Sequence, residues 1–399
     1  MRIAGIIAEY DPFHKGHAAH IAATRAENGG NATHIVAVIS GNFTQRGEPA
    51  LVDKFHRAEM ALANGADLVV ELPLPWAMAP AESFAAGGVA ILKALGCVNV
   101  LSFGSECGNV ETLQALANLP QHKDYPATLR QALSTGVPYA AAGQMAACSL
   151  VGEDTAKHLA TPNNTLGIEY IRAATLQQAD WAYFTMQRQG ALHNENTPNQ
   201  GFASASLIRG LVRENKLADA IPYLPAESTT VLENAFTGGH IATCASNLEV
   251  SLLAHLRRMQ EEEFLHLPWL SEGIENRLYS VVRTAETYTA LLAEAKTRRY
   301  PMARLRRVLW SALLGVRVED CAGLPPYIRV LGMNARGKEI LNAASPSLPI
   351  LTRTAQLKDL GERCNRIFDL ECTATDLHAL CMPHPYPCGR DHTEKLIIK

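Results

Sequence analysis

Four short apolar runs alternate with stretches of helical spacing in the first hundred residues, and this rhythm constrains the fold more than any other feature of the chain. The runs are Arg2–Ala8, His34–Ile39, Asp67–Leu72 and Val98–Phe103. Each is long enough for a strand and too short for a core helix. Between them, helices are predicted from about His17 to Gly29-Gly30, over Lys54–Asn64 ending at Gly65, and over about Ala81–Leu95 ending at Gly96. Glycine just past the periodic stretch is the expected helix stop. Strand–helix alternation requires crossover connections and therefore a parallel sheet. Ligands of open parallel sheets sit beyond the carboxyl ends of the strands. The first strand runs into Glu9–His17 and the fourth into Gly104-Ser105-Glu106, so chemistry is expected in those loops.

Farther along, Val110–Arg172 reads as mostly helical, Trp181–Met186 as a strand, and a helix begins near Ser206 and runs toward Lys216. Pro222 and Pro225 mark a boundary, since proline interrupts both helices and sheets. The expected class is α/β. An N-terminal domain with a parallel sheet spans residues 1–222, and a mostly helical C-terminal domain spans 226–399, with one strand-like run at Tyr327–Leu331.

Of the 399 residues, 47% are hydrophobic and 19% charged, which describes an ordinary globular chain rather than a disordered one. The net charge of −3 gives no global nucleic-acid signature, so any RNA contact must come from a local basic patch. No apolar stretch has membrane-spanning length, and the first apolar run is too short for a signal peptide; a cytoplasmic chain with no membrane partner is expected. The nine cysteines are scattered, with no CxxC pair, as in a chain with reduced thiols. Cys364, Cys372, Cys381 and Cys388 lie near His378 and His384 but match no zinc spacing, and no metal ligands are assigned.

Three motifs carry candidate chemistry. The first is Gly5–His17, GIIAEYDPFHKGH. It joins a strand to a helix opening at His17, where free backbone N–H groups and the dipole favour phosphate. His14 and His17 can donate to phosphate oxygens from one turn, and Gly16 is expected to let the backbone approach a ligand closely. The second is SASLIRG, Ser204–Gly210: Ser204 or Ser206 caps the following helix and Arg209 lies one turn inside it, suited to bidentate phosphate contact. The third is Ser40–Glu59, where Arg46, Lys54 and Arg57 can meet phosphates or an acidic partner, or simply form a solvated loop and helix face.

The chain resembles the bacterial tRNA(Met) cytidine acetate ligases of the HxGH nucleotidyltransferase superfamily. The resemblance rests on AEYDPFHKGH, SGNFTQRGEPA, DLVVELP (Asp67–Pro73), FGSE (Phe103–Glu106), TPNNTLGIEYIRA (Thr161–Ala173), SASLIR, KTRRYPMARLRR (Lys296–Arg307) and YIRVLGMNARG (Tyr327–Gly337), in order over most of the chain. It implies a Rossmann-like N-terminal domain. It also implies ATP contacts from Ile7, Ala8, Glu9, Tyr10, Asp11, Pro12, Phe13, His14, Lys15, Gly16, His17, Ala18, Ala19 and His20, and from Gly104, Asn163, Asn164, Arg188, Ser204, Ser206 and Arg209. His14, His17 and Arg209 are the implied catalytic set. In that family acetate attacks ATP to form acetyl-adenylate and pyrophosphate, and the acetyl group passes to the wobble cytidine of elongator tRNA(Met). Mg²⁺ is expected with the ATP, and the acetate pocket is expected beside Gly5 and Gly104. The tRNA contact is expected at Lys296, Arg298, Arg299, Arg304 and Arg307, with Tyr300 available to stack on a base. Two alternatives share the first two motifs: an adenylyltransferase acting on a small nucleotide or phosphopantetheine, and a non-catalytic module that uses ATP to shape an RNA-binding surface.

Overall fold

Every residue of the second and third apolar runs is buried, because helices cover both faces of the sheet they form and leave no side for polar residues. The computed structural model describes residues 1–137, 139–188, 201–243, 245–271, 273–297 and 300–399. In chain order its site-forming elements are β1 (Ile3–Ala8), α1 (Lys15–Arg25), β2 (His34–Ser40), α2 (Lys54–Ala63), β3 (Leu68–Leu72), α3 (Ala81–Ala94), β4 (Val100–Ser105), α4 (Pro162–Leu176), β5 (Ala182–Gln187), α5 (Ala205–Arg213), α6 (Met302–Leu314), β6 (Ile328–Met333), β7 (Ile350–Leu351), α7 (Glu362–Ala379) and β8 (Ile397–Ile398).

The strand order is β5-β4-β1-β2-β3-β6-β7, with β8 also on β6. β1 to β5 are mutually parallel, as the alternation predicts. β1 lies between β2 and β4, so strand addition reverses direction there and opens a crevice at the carboxyl ends of β1 and β4. Alternate strand residues feed two cores. Ile3, Ile7, Val36 and Val38 pack with α3 and α4, while Ile6, Ile35, Ala37 and Ile39 pack with α2 and with Ile21 of α1. Beyond Pro222–Pro225 the helices Glu249–Arg258, Ile274–Thr284, Tyr288–Ala295 and α6 close around a separate core. The chain then returns: the Tyr327–Leu331 run becomes β6, antiparallel to β3. A cut between residues 222 and 226 would therefore split the sheet, with β1 to β5 on one side and β6 to β8 on the other. No helix among the described residues is long and apolar enough to cross a membrane.

The solvated or phosphate-facing roles weighed for Lys54 and Arg57 are corrected by burial, since both side chains are fully enclosed. Lys54 Nζ lies 2.7 Å from Glu71 and 2.7 Å from Asp391, and Arg329 pairs with the same two carboxylates. Glu371 lies 3.6 Å from the same Lys54 Nζ, and burial, then the neighbouring Glu71 carboxylate, push its pKa well up. This cluster ties α2 and β3 to β6 and α7. Arg57 Nη1 donates to Glu9 O (2.7 Å), and Arg57 also donates to Ser40 Oγ and Gly41 O. It therefore clamps the ends of β1 and β2 where the crevice opens.

Candidate active site

The turn after β1 is built tightly. Tyr10 has left-handed backbone (φ 50), a conformation a bulky residue keeps only when its surroundings hold it. Its buried ring packs edge-on against Phe13 and His17, each 4.8 Å between centroids. The helix then starts at Lys15, two residues earlier than predicted, with His14 as its N-cap. His14 Nδ1 accepts from Gly16 N at 3.0 Å, and His17 Nδ1 accepts from His14 N at 3.3 Å. An N–H donor can meet only an unprotonated ring nitrogen, so both neutral imidazoles carry their proton on Nε2. The rings stack at 3.7 Å. The backbone thus fixes the tautomers of two adjacent donors. A Cβ at Gly16 would stand 2.9 Å from His14 Cε1, so glycine there makes room for the stacked pair.

The cleft at the carboxyl ends of β1 and β4 brings together Ile7, Ala8, Glu9, Tyr10, Asp11, His14, His17 and His20 with Gly104, Asn163, Arg188, Ser204, Ser206 and Arg209. An adjoining cavity adds Gly16 and Ala19. The other residues of the predicted set stand elsewhere. Pro12 is buried and follows a cis bond. Phe13 is fully buried in the core below. Lys15 is exposed and Ala18 only packs against that core. Asn164 is buried, with its Oδ1 accepting from Glu106 N at 2.9 Å and from Cys107 N at 3.2 Å. The expected acetate wall at Gly5 is also corrected: Gly5 lies under Leu92 of α3, 2.5 Å from where its Cβ would be.

Electrostatics follow from the partners. Ser204 caps α5, accepting from Leu207 N at 3.2 Å, and Ser206 Oγ lies 3.0 Å from Ser204 Oγ. Arg209 Nη1 donates to Asp11 O at 2.7 Å and lies 3.6 Å from the Asp11 carboxylate. Asp11 Oδ1 accepts from Leu51 N at 2.7 Å. The Asp11 charge is therefore balanced by Arg209 rather than turned against an incoming anion. Across the cleft Arg188 Nη1 reaches Asn163 Oδ1 at 3.4 Å. Glu106 holds Asn163 in place by accepting from its backbone and side chain, at 3.1 and 2.7 Å. His20 turns away, its Nε2 2.9 Å from Ser102 Oγ.

Burial first, then Arg188 and Arg209, lower the His14 pKa to about 3; burial and Arg188 lower His20 to about 4, and His17 falls well below its ordinary value. The cleft therefore sets neutral imidazole donors between the guanidinium groups of Arg188 and Arg209. These depressed pKa values carry a stability cost on acidification. In the unfolded chain the imidazoles titrate near 6.5, so below that pH the unfolded state binds protons the folded state refuses. Stability is full above about pH 6.5 and falls as the pH drops toward the folded values. Between about pH 7 and about pH 5 the wild type should lose about 1–2 kcal/mol more than a His20→Gln variant. Urea denaturation across that range checks this, and equal losses would contradict it.

Reading the sequence missed part of the wall: Gln45 beside Arg46, and an apolar side made by Phe84, Phe103, Leu166 and Tyr170. Phe84 lies on α3, Leu166 and Tyr170 on α4 and Phe103 on β4, and the crevice brings the four together. The basic segment is also redistributed. Tyr300 is buried, which corrects its availability for base stacking. Arg307 Nη1 donates to Gln45 O at 3.0 Å, Arg304 Nη1 donates to Ser271 Oγ at 2.8 Å, and Lys296 Nζ donates to Thr297 O at 2.7 Å. Arg298 and Arg299 lie outside the described residues.

Known proteins resemble the chain over nearly its whole length. A family model described as HIGH Nucleotidyl Transferase matches residues 1–392. A tRNA(Met) cytidine acetate ligase of Acetivibrio thermocellus is 35% identical over all of both chains, and one of Caldanaerobacter subterraneus subsp. tengcongensis is 37% identical over 95% of each. The crystal structure of apo Thermotoga maritima TmcAL superposes with a TM-score of 0.93 at 32% identity, covering 100% of this chain and 99% of that one. The structure of Thermotoga maritima TmcAL bound with alpha-thio ATP superposes with a TM-score of 0.91 at 30% identity over the same shares. The chain belongs to the tRNA(Met) cytidine acetate ligase family of HIGH nucleotidyl transferases.

Proposed function

We propose that this cleft binds ATP and acetate, forms acetyl-adenylate, and transfers the acetyl group to N4 of the wobble cytidine of elongator tRNA(Met) in the cytoplasm. The observation that carries the reading is the stacked His14–His17 pair, its two Nε2–H donors fixed by the backbone and flanked by Arg188 and Arg209. In the first step an acetate oxygen bonds to the α-phosphorus as its bond to the pyrophosphate oxygen breaks. Acetate is already ionised at neutral pH, so the step needs no base. His14 and His17 stabilise charge on the α-phosphate and the leaving pyrophosphate. Arg209, with Ser204 and Ser206, holds the β and γ phosphates, and Arg188 with Asn163 holds the nucleotide end. In the second step the cytidine amine attacks the acetyl carbonyl, the carbonyl–phosphate bond breaks, AMP leaves and the amine loses a proton. Lys296, Arg304 and the neighbouring Arg298-Arg299 supply the phosphate footprint for tRNA.

Magnesium enters with ATP as part of the substrate. Among the described residues no three His, Cys, Asp or Glu groups converge as a metal cage, and Asp11 is already engaged by Leu51 N and Arg209. The test is pyrophosphate release from ATP by the wild-type chain without tRNA. Release that requires acetate supports the reading; release that ignores acetate contradicts it. The acyl group is assigned to the apolar wall of Phe84, Phe103, Leu166 and Tyr170. Phe84 is 1% exposed and Tyr170 is 4% exposed, so a longer chain must displace packed side chains. Acetate should exceed propionate by roughly ten- to two-hundred-fold in kcat/KM. Equal use of the two would contradict this placement.

A further inference from the structure

Helix α6 meets the cleft wall through a tight loop. After β2 the chain doubles back at Thr44–Glu48, closed by Thr44 N donating to Glu48 O at 2.9 Å and by the Phe43–Pro49 bridge. Gln45 and Arg46 at its tip stand on the cleft wall. The two backbone groups of Gln45 engage two different parts of the chain. Its N–H donates to Glu9 Oε1 at 2.8 Å inside the cleft, and its carbonyl accepts from Arg307 Nη1 of α6 at 3.0 Å behind it. The loop is seated on α6 by two further contacts. Arg306 pairs with Glu48. Gly47, at φ +70, lies so near the helix backbone that a Cβ would be 2.6 Å from Arg307 N. Arg307 Nε is buried without a partner, which does not suit a side chain reaching out for a solvated phosphate.

We propose that Arg307 is a positioning residue for the cleft: through Gln45 it holds Glu9 and Arg46 in place, and it is not one of the phosphate contacts of the basic segment. The inference rests on the reading that the cleft adenylates acetate. Displacing the loop moves two cleft-wall residues at once, and a shift on the order of 1 Å at a reacting centre costs about a hundredfold in rate.

Two variants test it independently. Arg307→Met keeps the aliphatic stem and removes the donors. Gly47→Ala leaves every arginine in place and pushes the loop off α6. Both should lower the kcat of acetate-dependent ATP–pyrophosphate exchange by at least about tenfold, and Arg307→Lys, which retains a donor, should recover most of that loss. The affinity for tRNA(Met) and its salt dependence should stay as in the wild type. Loss of a phosphate contact would instead reduce the salt slope by about one. Wild-type exchange is measured first; its absence would overturn the adenylation reading and this inference with it. With wild-type exchange present, unchanged exchange in Arg307→Met or in folded Gly47→Ala overturns the inference alone, as does a salt slope reduced by about one in Arg307→Met.

Discussion

His17→Ala lowers the rate of acetyl-adenylate formation by about 10²–10³, the usual consequence of removing one preorganised donor from a charged transition state. The size of the effect follows from the geometry. His17 Nδ1 is occupied by His14 N, so Nε2–H is the donor presented to the phosphates, and alanine leaves nothing in its place. The fold should survive. What it loses is one arm of the helix cap, worth about 0.5–2 kcal/mol, and the His17 ring contacts with Tyr10, Phe13 and His14. His17→Gln, which retains an N–H donor but not the ring geometry, should fall between the two. The measurement is exchange kinetics beside a thermal melt. Near-normal turnover in a folded His17→Ala protein would remove the phosphate role of the motif.

Lys54→Met destabilises the protein by about 3–5 kcal/mol, far more than an ordinary surface substitution, because it strands buried negative charge. Lys54 is fully enclosed and lies 2.7 Å from both Glu71 and Asp391. Its loss leaves Arg329 alone against the Glu71 and Asp391 carboxylates. A second substitution, Glu71→Gln, removes one of them and should restore part of the loss, which a purely additive pair would not do. Denaturant titration of the two single variants and the double variant gives the coupling. A loss below about 1 kcal/mol for Lys54→Met would mean that the cluster is solvated and that its members pair weakly.

The difference between Lys54 and His14 marks what a sequence can and cannot reveal. The strand–turn–helix around His14 is local: an apolar run, a turn and a helix start lie within fifteen consecutive residues, so their proximity follows from chain connectivity. Arg209 is remote, yet Ser204 and Arg209 sit one helical turn apart, and the cap geometry announced an anion site before its partner was known. Lys54 and Arg57 carried no such mark. Their partners are Glu71 and Asp391 for one, and the carbonyls of Glu9 and Gly41 for the other. Charge alone reads as exposure, and only tertiary closure reveals burial. β6 was legible as a strand because its apolar run is local, but its place beside β3 is a matter of topology. For the same reason Arg307 reads as a nucleic-acid contact in the sequence, while in the fold it donates to the Gln45 carbonyl. Each side chain has the expected character, and the fold decides what it faces.

The central claim is that ATP and acetate are joined in this cleft and the acetyl group delivered to tRNA. The most direct measurement is nucleoside analysis of elongator tRNA(Met) after incubation with the wild-type chain, ATP and isotopically labelled acetate. The account predicts label in N4-acetylcytidine at the wobble position, dependent on ATP and absent with His17→Ala. Unmodified cytidine with active wild-type protein, or acetylation from acetyl-coenzyme A without ATP, would contradict it.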